Sequence, residues 1–152
     1  MPKKKDPSSK KLPKGEIKLY KDVEVWVAFA SKKSKYGNRR SYVYGLSFHS
    51  FHEACRYIEL VEKLEQGLIR GLKTQPTFKL TAHGEEICRY KADFQYEQEV
   101  NGEWVTVVED VKGSLTDVYK IKQKWFLAQY KEYLFRETRK LYGKEMFDIR
   151  DY

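Results

Sequence analysis

Asn101-Gly102 narrows the fold of this chain more than any other pair of residues. It stands between two runs of strand-forming residues, Ile87 to Tyr96 and Trp104 to Lys112. Asn and Gly tolerate the positive φ that both central residues of a type I′ turn require, so the pair predicts a tight antiparallel hairpin. Asp93 and Asp110 then lie on neighbouring strands. The second run is unusual in itself. Val107-Val108-Glu109-Asp110-Val111-Lys112-Gly113 reads as a buried strand that carries acids and a lysine. Side chains alternate between the faces of a strand, which puts Asp110 and Lys112 on one face and Glu109 with Val111 on the other.

Other elements follow from patterning. Residues Val23 to Phe29 alternate as a strand, a Lys- and Gly-containing loop runs to Asn38, and Arg40 to Tyr44 is a short return strand ending at Gly45. Ser50 and Glu53 fit a capping box at the start of a helix. Ala54, Tyr57, Ile58, Val61, Leu64 and Leu68 form its apolar stripe, and Gly67 or Gly71 closes it. Thr77 to Leu80 is strand-like, and a second helix runs from Asp117 to about Gln129. Tyr133-Leu134-Phe135 predicts a final edge strand, and Arg139 to Tyr152 a short helix or tail. The first 15 residues, with Pro2, Pro7 and Pro13 among Lys and Ser, predict a flexible basic arm. Residues 16–152 are expected to form a single domain with its core at about 35–137. The order of elements predicts an α/β (α+β) fold, a mixed central sheet flanked by helices with an extra N-terminal strand pair.

Composition excludes some classes of function. At 152 residues with 41% hydrophobic content the chain can bury a core. No apolar run approaches the ~18 residues of a membrane span, and the lysine-rich start lacks the apolar stretch of a secretory signal. Cys55 and Cys88 give no disulfide framework, so a cytoplasmic location is expected. His49 and His52 have no accompanying Cys-x-x-Cys and read as loop and helix-start residues rather than zinc ligands. Of the net charge of +8, most lies in residues 1–21, where eight Lys face only Asp6 and Glu16. A second basic segment holds Lys32, Lys33, Lys35, Arg39 and Arg40. Basic arms and loops suit polyphosphate partners, since neutralising phosphates releases condensed counterions.

Hydrolysing a phosphodiester near neutral pH needs a polarised phosphoryl oxygen, an activated water and stabilisation of the leaving oxygen. Hard divalent cations held by carboxylate oxygens supply these. Asp93 and Asp110 could converge on Mg²⁺, with Mn²⁺ as a substitute, helped by the backbone carbonyl of Val111 and by Glu53. Lys112 could orient the attacking water or stabilise the charge that develops. Taken singly, each has a plainer reading. Glu53 is also the capping-box glutamate, Asp93 a surface residue, and Asp110 with Lys112 a same-face ion pair. Lys120, Lys122 and Lys124 could contact phosphates or simply form a solvated helix face, with Lys122 the best placed for DNA. Gln75 is turn chemistry first and a phosphate contact second.

The set of four in this order resembles the PD-(D/E)xK nuclease superfamily. Three segments are similar to a phage-associated family within it that is compared with Holliday-junction resolvases. They are Gly45 to Tyr57, Tyr90-Lys91-Ala92-Asp93-Phe94, and Val108 to Gly113 followed by Thr116 to Lys120. Gln75 to Leu80 also fits. The resemblance covers roughly residues 35–130. It implies a restriction-endonuclease-like sheet wrapped by helices, Mg²⁺-dependent DNA cleavage and often a homodimer. By position Asp93 and Asp110 are the strand acids, Lys112 the lysine and Glu53 the helix acid. Ala92 stands where a Pro is frequent, and Asp110 where Glu is common. Glu109 is adjacent, but alternation turns it away from Lys112.

The expected function is therefore a metal-dependent endodeoxyribonuclease acting on branched duplex DNA. Alternatives are a site-specific or nicking nuclease of restriction or transposon type, and a catalytically silent DNA-binding accessory module.

Overall fold

The structure, a computed structural model of the full chain, describes residues 11–30 and 37–152. The predicted phosphate contacts Lys32, Lys33 and Lys35 and the first ten residues of the basic arm lie outside these. Chain packing divides the molecule into two compact units, residues 1–59 and 60–152.

The N-terminal unit contains a four-stranded sheet in the order β1-β2-β3-β4. Its strands are β1 (Gly15–Tyr20), β2 (Val23–Ala28), β3 (Ser41–Val43) and β4 (Leu46–Phe48), each antiparallel to the next. The expected strand pair is thus the middle of a larger sheet. Two strands escaped prediction, β1 because its turn to β2 holds no glycine and β4 because it is only three residues long beyond the Tyr44-Gly45 turn. Lys21-Asp22 makes the β1–β2 turn with both residues at positive φ, a conformation usually given to Asn-Gly.

Helix α1 (Phe51–Glu65) begins as predicted, and the division between the units falls within it. The Glu53 N–H donates to Ser50 Oγ at 3.2 Å. The Glu53 carboxylate accepts the His49 N–H at 3.1 Å. Gly67 closes the helix at φ 73°, with Leu68 N–H bonded to Lys63 O and Gly67 N–H to Leu64 O, a Schellman ending. Leu68, expected in the apolar stripe, falls after this ending and is 55% exposed.

One acid in the N-terminal unit gives a pH-dependent stability. Burial alone would raise the Glu59 carboxyl, but Tyr20, Arg56 and Lys21 outweigh it and hold it below the usual carboxylate range. Tyr20 Oη donates to Glu59 at 2.6 Å and Arg56, itself buried, at 2.8 Å. A carboxyl depressed on folding stabilises the fold above its unfolded pKa, and that contribution is lost as pH falls through the folded value. Acid denaturation of Glu59→Gln should therefore show a weaker pH dependence below about pH 4.5 than wild type. Parallel titrations followed by circular dichroism check this.

The C-terminal unit is built on a mixed five-stranded sheet in the order β11-β10-β9-β8-β5. These strands are β5 (Ile69–Thr74), β8 (Phe94–Val100), β9 (Glu103–Val111), β10 (Leu134–Lys140) and β11 (Phe147–Asp151). A separate two-stranded ribbon pairs β6 (Thr77–Ala82) with β7 (Glu85–Lys91). The observed architecture is thus mixed α+β. Asn101 and Gly102 adopt φ 52° and 84° and join β8 to β9 as predicted. Helix α2 (Asp117–Gln129) follows β9, capped by Thr116 Oγ1, which accepts the Tyr119 N–H at 3.2 Å. It returns the chain to β10, which lies parallel to β9.

Three expectations are corrected here. The single strand from Ile87 to Tyr96 is two strands, β7 and β8, belonging to different sheets and broken at Ala92-Asp93. Tyr133 to Phe135 is not an edge but the start of β10, an interior strand. The tail after Arg139 turns back as β11, with Arg136 facing Asp151. Charged residues concealed the extension of β10 through Lys140 and the strand character of β11. Arg136 and Glu137 are buried yet paired, Arg136 with both oxygens of Asp151 at 2.7 and 2.9 Å.

Phe126 stands at the centre of the apolar cluster of this unit. Phe78, Leu80, Tyr90, Ala92, Val108 and Phe135 pack with it beneath α2. Among the described residues no helix is long and apolar enough to cross a membrane.

Candidate active site

Asp110 and Val108 share the face of β9 that carries this apolar cluster, and Asp110 is 1% exposed. A carboxylate there must be compensated. Lys112 Nζ approaches Asp110 Oδ1 at 2.7 Å, and the Tyr90 hydroxyl donates to Oδ2. The Lys112 ammonium also lies 4.2 Å from the centre of the Tyr119 ring, a cation–π contact. Lys112 keeps 23% of its side chain exposed, so the pair reaches from the core to solvent.

Asp93 comes to the same place by a break in the chain. Phe94 faces Glu109 across β8 and β9, and the Asp93 N–H donates to the carbonyl of that same Glu109 at 3.1 Å. Two consecutive residues thus oppose one, a bulge that re-aims the first side chain. Asp93 Oδ2 then accepts the Val111 N–H at 2.7 Å. Asp93, Val111 and Asp110 are in this way tied to one strand end. Gln75 is held beside them, in a left-handed conformation (φ 54°) with its N–H on the Asp93 carbonyl at 2.8 Å.

Sequence reasoning missed a third acid. Glu137 is the register partner of Asp110 on the parallel strand β10 and is 3% exposed. The Tyr119 hydroxyl donates to Glu137 Oε2 at 3.0 Å, and Arg139 lies 3.3 Å from Oε1. The Tyr90 hydroxyl is pushed far up by burial, then by the charge and hydrogen bond of Asp110, with Asp93 adding to it. The Tyr119 hydroxyl rises for like reasons, burial first and then Asp110 and Glu137. Both tyrosines therefore stay protonated and serve as donors, not as bases. The only advance signal for Glu137 was its place in a charge-rich stretch after an apolar one.

The other expected site residues have partners of their own. Glu109 is on the opposite face of β9 and fully buried, where Tyr96 Oη donates to it at 2.5 Å and Thr138 Oγ1 at 3.1 Å. Glu53 belongs to the cap of α1, with Oε1 3.2 Å from Ser50 Oγ. Arg39 is engaged by Glu16 at 2.8 Å and by the Ala28 carbonyl. Arg40 reaches Ser47 Oγ at 3.2 Å, and Lys122 Nζ the Arg89 carbonyl at 2.8 Å.

The donors gathered at Asp93 and Asp110 are all oxygen, the type that hard cations such as Mg²⁺ take. Among the described residues no three His, Cys, Asp or Glu side chains form a metal-binding group. Magnesium suits such a site, since it binds through one or two carboxylates and completes an octahedron with water and substrate phosphate. Asp110 spends one lone pair of each oxygen on Lys112 and Tyr90, and each oxygen carries a second. The residues fit the ion on these grounds.

A family model described as a protein of unknown function (DUF1064) matches residues 33–142, more than two-thirds of the chain. No curated protein and no solved structure matches it.

Proposed function

We propose that this chain, which belongs to the DUF1064 family, is a Mg²⁺-dependent endonuclease that hydrolyses phosphodiester bonds in branched duplex DNA. The observation that carries the reading is the convergence of Asp93, Asp110 and Lys112 at one strand end, two carboxylates and an ammonium that opens to solvent. The succession helix, three strands, helix, strand through α1, β5, β8, β9, α2 and β10 supports it, with the β6–β7 ribbon inserted between the first two strands.

In this reading Asp93, Asp110 and the Val111 carbonyl hold the ion. Bound there, Mg²⁺ supplies phosphoryl polarisation and a water of lowered pKa. Asp110 sets the place of Lys112, whose ammonium faces the incoming phosphate and stabilises the negative charge that grows on it. The Tyr119 ring keeps that ammonium from swinging into solvent. Tyr90, as a permanent donor, fixes the carboxylate of Asp110 in one rotamer. Glu137 acts behind them by orienting Tyr119. A resolvase cuts two strands symmetrically, so a two-fold homodimer goes with this function.

Incubating the protein with four-way junction, flap, nicked and linear DNA, with Mg²⁺ against EDTA, tests the proposal. Metal-dependent cuts concentrated in the branched substrates are expected. Equal cleavage of linear duplex at one sequence would move the assignment to a site-specific nuclease. Failure to cut any of them, with an intact fold and calorimetric silence toward millimolar Mg²⁺ and Mn²⁺, would leave a DNA-binding accessory module.

A further inference from the structure

The two faces of the β6–β7 ribbon differ sharply. The inward face supplies Phe78, Leu80 and Tyr90 to the apolar cluster. The outward face presents Lys79 and Arg89, which are direct register partners, and beyond them Lys91 opposite Thr77. Like charges placed opposite each other in a two-stranded pair are destabilising. Here a single carboxylate, Glu86, is shared between the two, 3.5 Å from Lys79 and 2.6 Å from Arg89, while all three cations remain exposed. The ribbon makes no ladder with the main sheet. It is held to α2 by side chains instead, with Trp125 Nε1 on the Thr81 carbonyl at 3.0 Å and Gln129 on Thr81 N–H at 2.9 Å.

Charge is also ordered along the ribbon. Glu85 and Glu86 stand at its turn, and Lys91 at the end that runs directly into Ala92-Asp93. Tyr90, whose hydroxyl meets Asp110, lies between Arg89 and Lys91 with its side chain on the other face. Lys91 thus stands two residues before Asp93 in the chain, with Arg89 and Lys79 next along the same exposed face.

We infer that the outward face of β6–β7 is a phosphate-binding track that lays one DNA strand toward Asp93 and Asp110, an inference that rests on the nuclease reading for its direction. Lys79, Arg89 and Lys91 pair with successive backbone phosphates, and Lys122, anchored on the Arg89 carbonyl, continues the track onto α2. The face contacts backbone, not bases. It offers ammonium and guanidinium groups with Thr77 opposite Lys91 and Ile87 beyond Arg89, and no amide side chain to read a base edge.

The test is binding of fluorescent four-way junction and duplex DNA by the full-length protein in EDTA, across a salt series. The triple variant K79A/R89A/K91A should flatten the slope of log K against log salt by about 2 to 3, at roughly 0.9 for each phosphate left unneutralised. Its affinity at about 100 mM salt should fall more than tenfold. The control K140A/K144A, at the end of β10 and in the turn that follows it, should keep the wild-type slope. An unchanged slope in the triple variant, or wild type that binds no DNA, overturns the track. The two proposals fail separately. Binding that depends on the ribbon without Mg²⁺-dependent cleavage keeps the track and removes the nuclease, and cleavage with an unaltered slope does the reverse.

Discussion

Replacing Asp110 by Asn should lower Mg²⁺-dependent DNA cleavage by at least about 10³-fold while DNA binding in EDTA is kept. The expectation follows from what Asn preserves and what it removes. The side chain keeps its shape in a site that is 1% exposed, and its carbonyl oxygen still accepts from Tyr90. The charge is lost, and with it a cation ligand and the partner that holds Lys112 at 2.7 Å. Phosphoryl stabilisation by a bound cation is worth several kcal/mol, and about 4 kcal/mol is a factor near 10³ in rate. Asp93→Asn and Lys112→Met should follow with losses of similar order. Glu109→Gln is the informative neighbour. It lies on the other face of β9, so it should leave the cleavage step within a few-fold of wild type and act on thermal stability. Single-turnover cleavage of a labelled junction, beside a melting curve for each variant, separates these outcomes. Full activity in Asp110→Asn would sink the assignment.

Asp110 and Lys112 were legible in the sequence because their setting is apolar. Charge inside a run such as Val107 to Val111 is conspicuous, and strand alternation alone tells Asp110 from Glu109. The hairpin that joins their strand to β8 was equally plain, because Asn101-Gly102 is a turn whose chemistry is local. Lys21-Asp22 makes the same kind of turn without a glycine, and β1 was hidden with it. Local signals also failed at Ala92-Asp93. No proline or glycine marks the break between β7 and β8, which arises because the two strands join different sheets. That break is what aims Asp93 at Val111. Glu137 and Arg136 were hidden for a different reason. Buried charges are stable only with partners, and the partners of these two, Tyr119 and Asp151, are brought near by the parallel pairing of β9 with β10 and by the return of β11. No property of residues 134–140 taken alone distinguishes such a strand from a charged surface segment.

Phe126→Ala should be the most destabilising single change in the C-terminal unit, and its effect should reach the site. The ring is fully buried and lies 5.0 Å from Phe78, 5.6 Å from Tyr90 and 5.6 Å from Phe135, centre to centre. It is the point where α2, the β6–β7 ribbon and the main sheet meet. Truncating a buried Phe to Ala costs about 3–5 kcal/mol, from lost transfer energy and the cavity left behind. For a chain of this length that corresponds to a fall in Tm of roughly 10 °C. Phe126→Leu, which leaves much less space empty, should cost under about half as much. The cavity in Phe126→Ala opens against the ring of Tyr90, and Tyr90 is what fixes Asp110. Cleavage measured well below the lowered Tm should therefore fall in Phe126→Ala beyond what the folded fraction explains. Tyr90→Phe should reproduce that fall with only a small change in Tm, because it removes the hydroxyl and keeps the packing. If Tyr90→Phe cleaves at the wild-type rate, the loss in Phe126→Ala comes from global loosening, and Tyr90 has no part in holding the carboxylate.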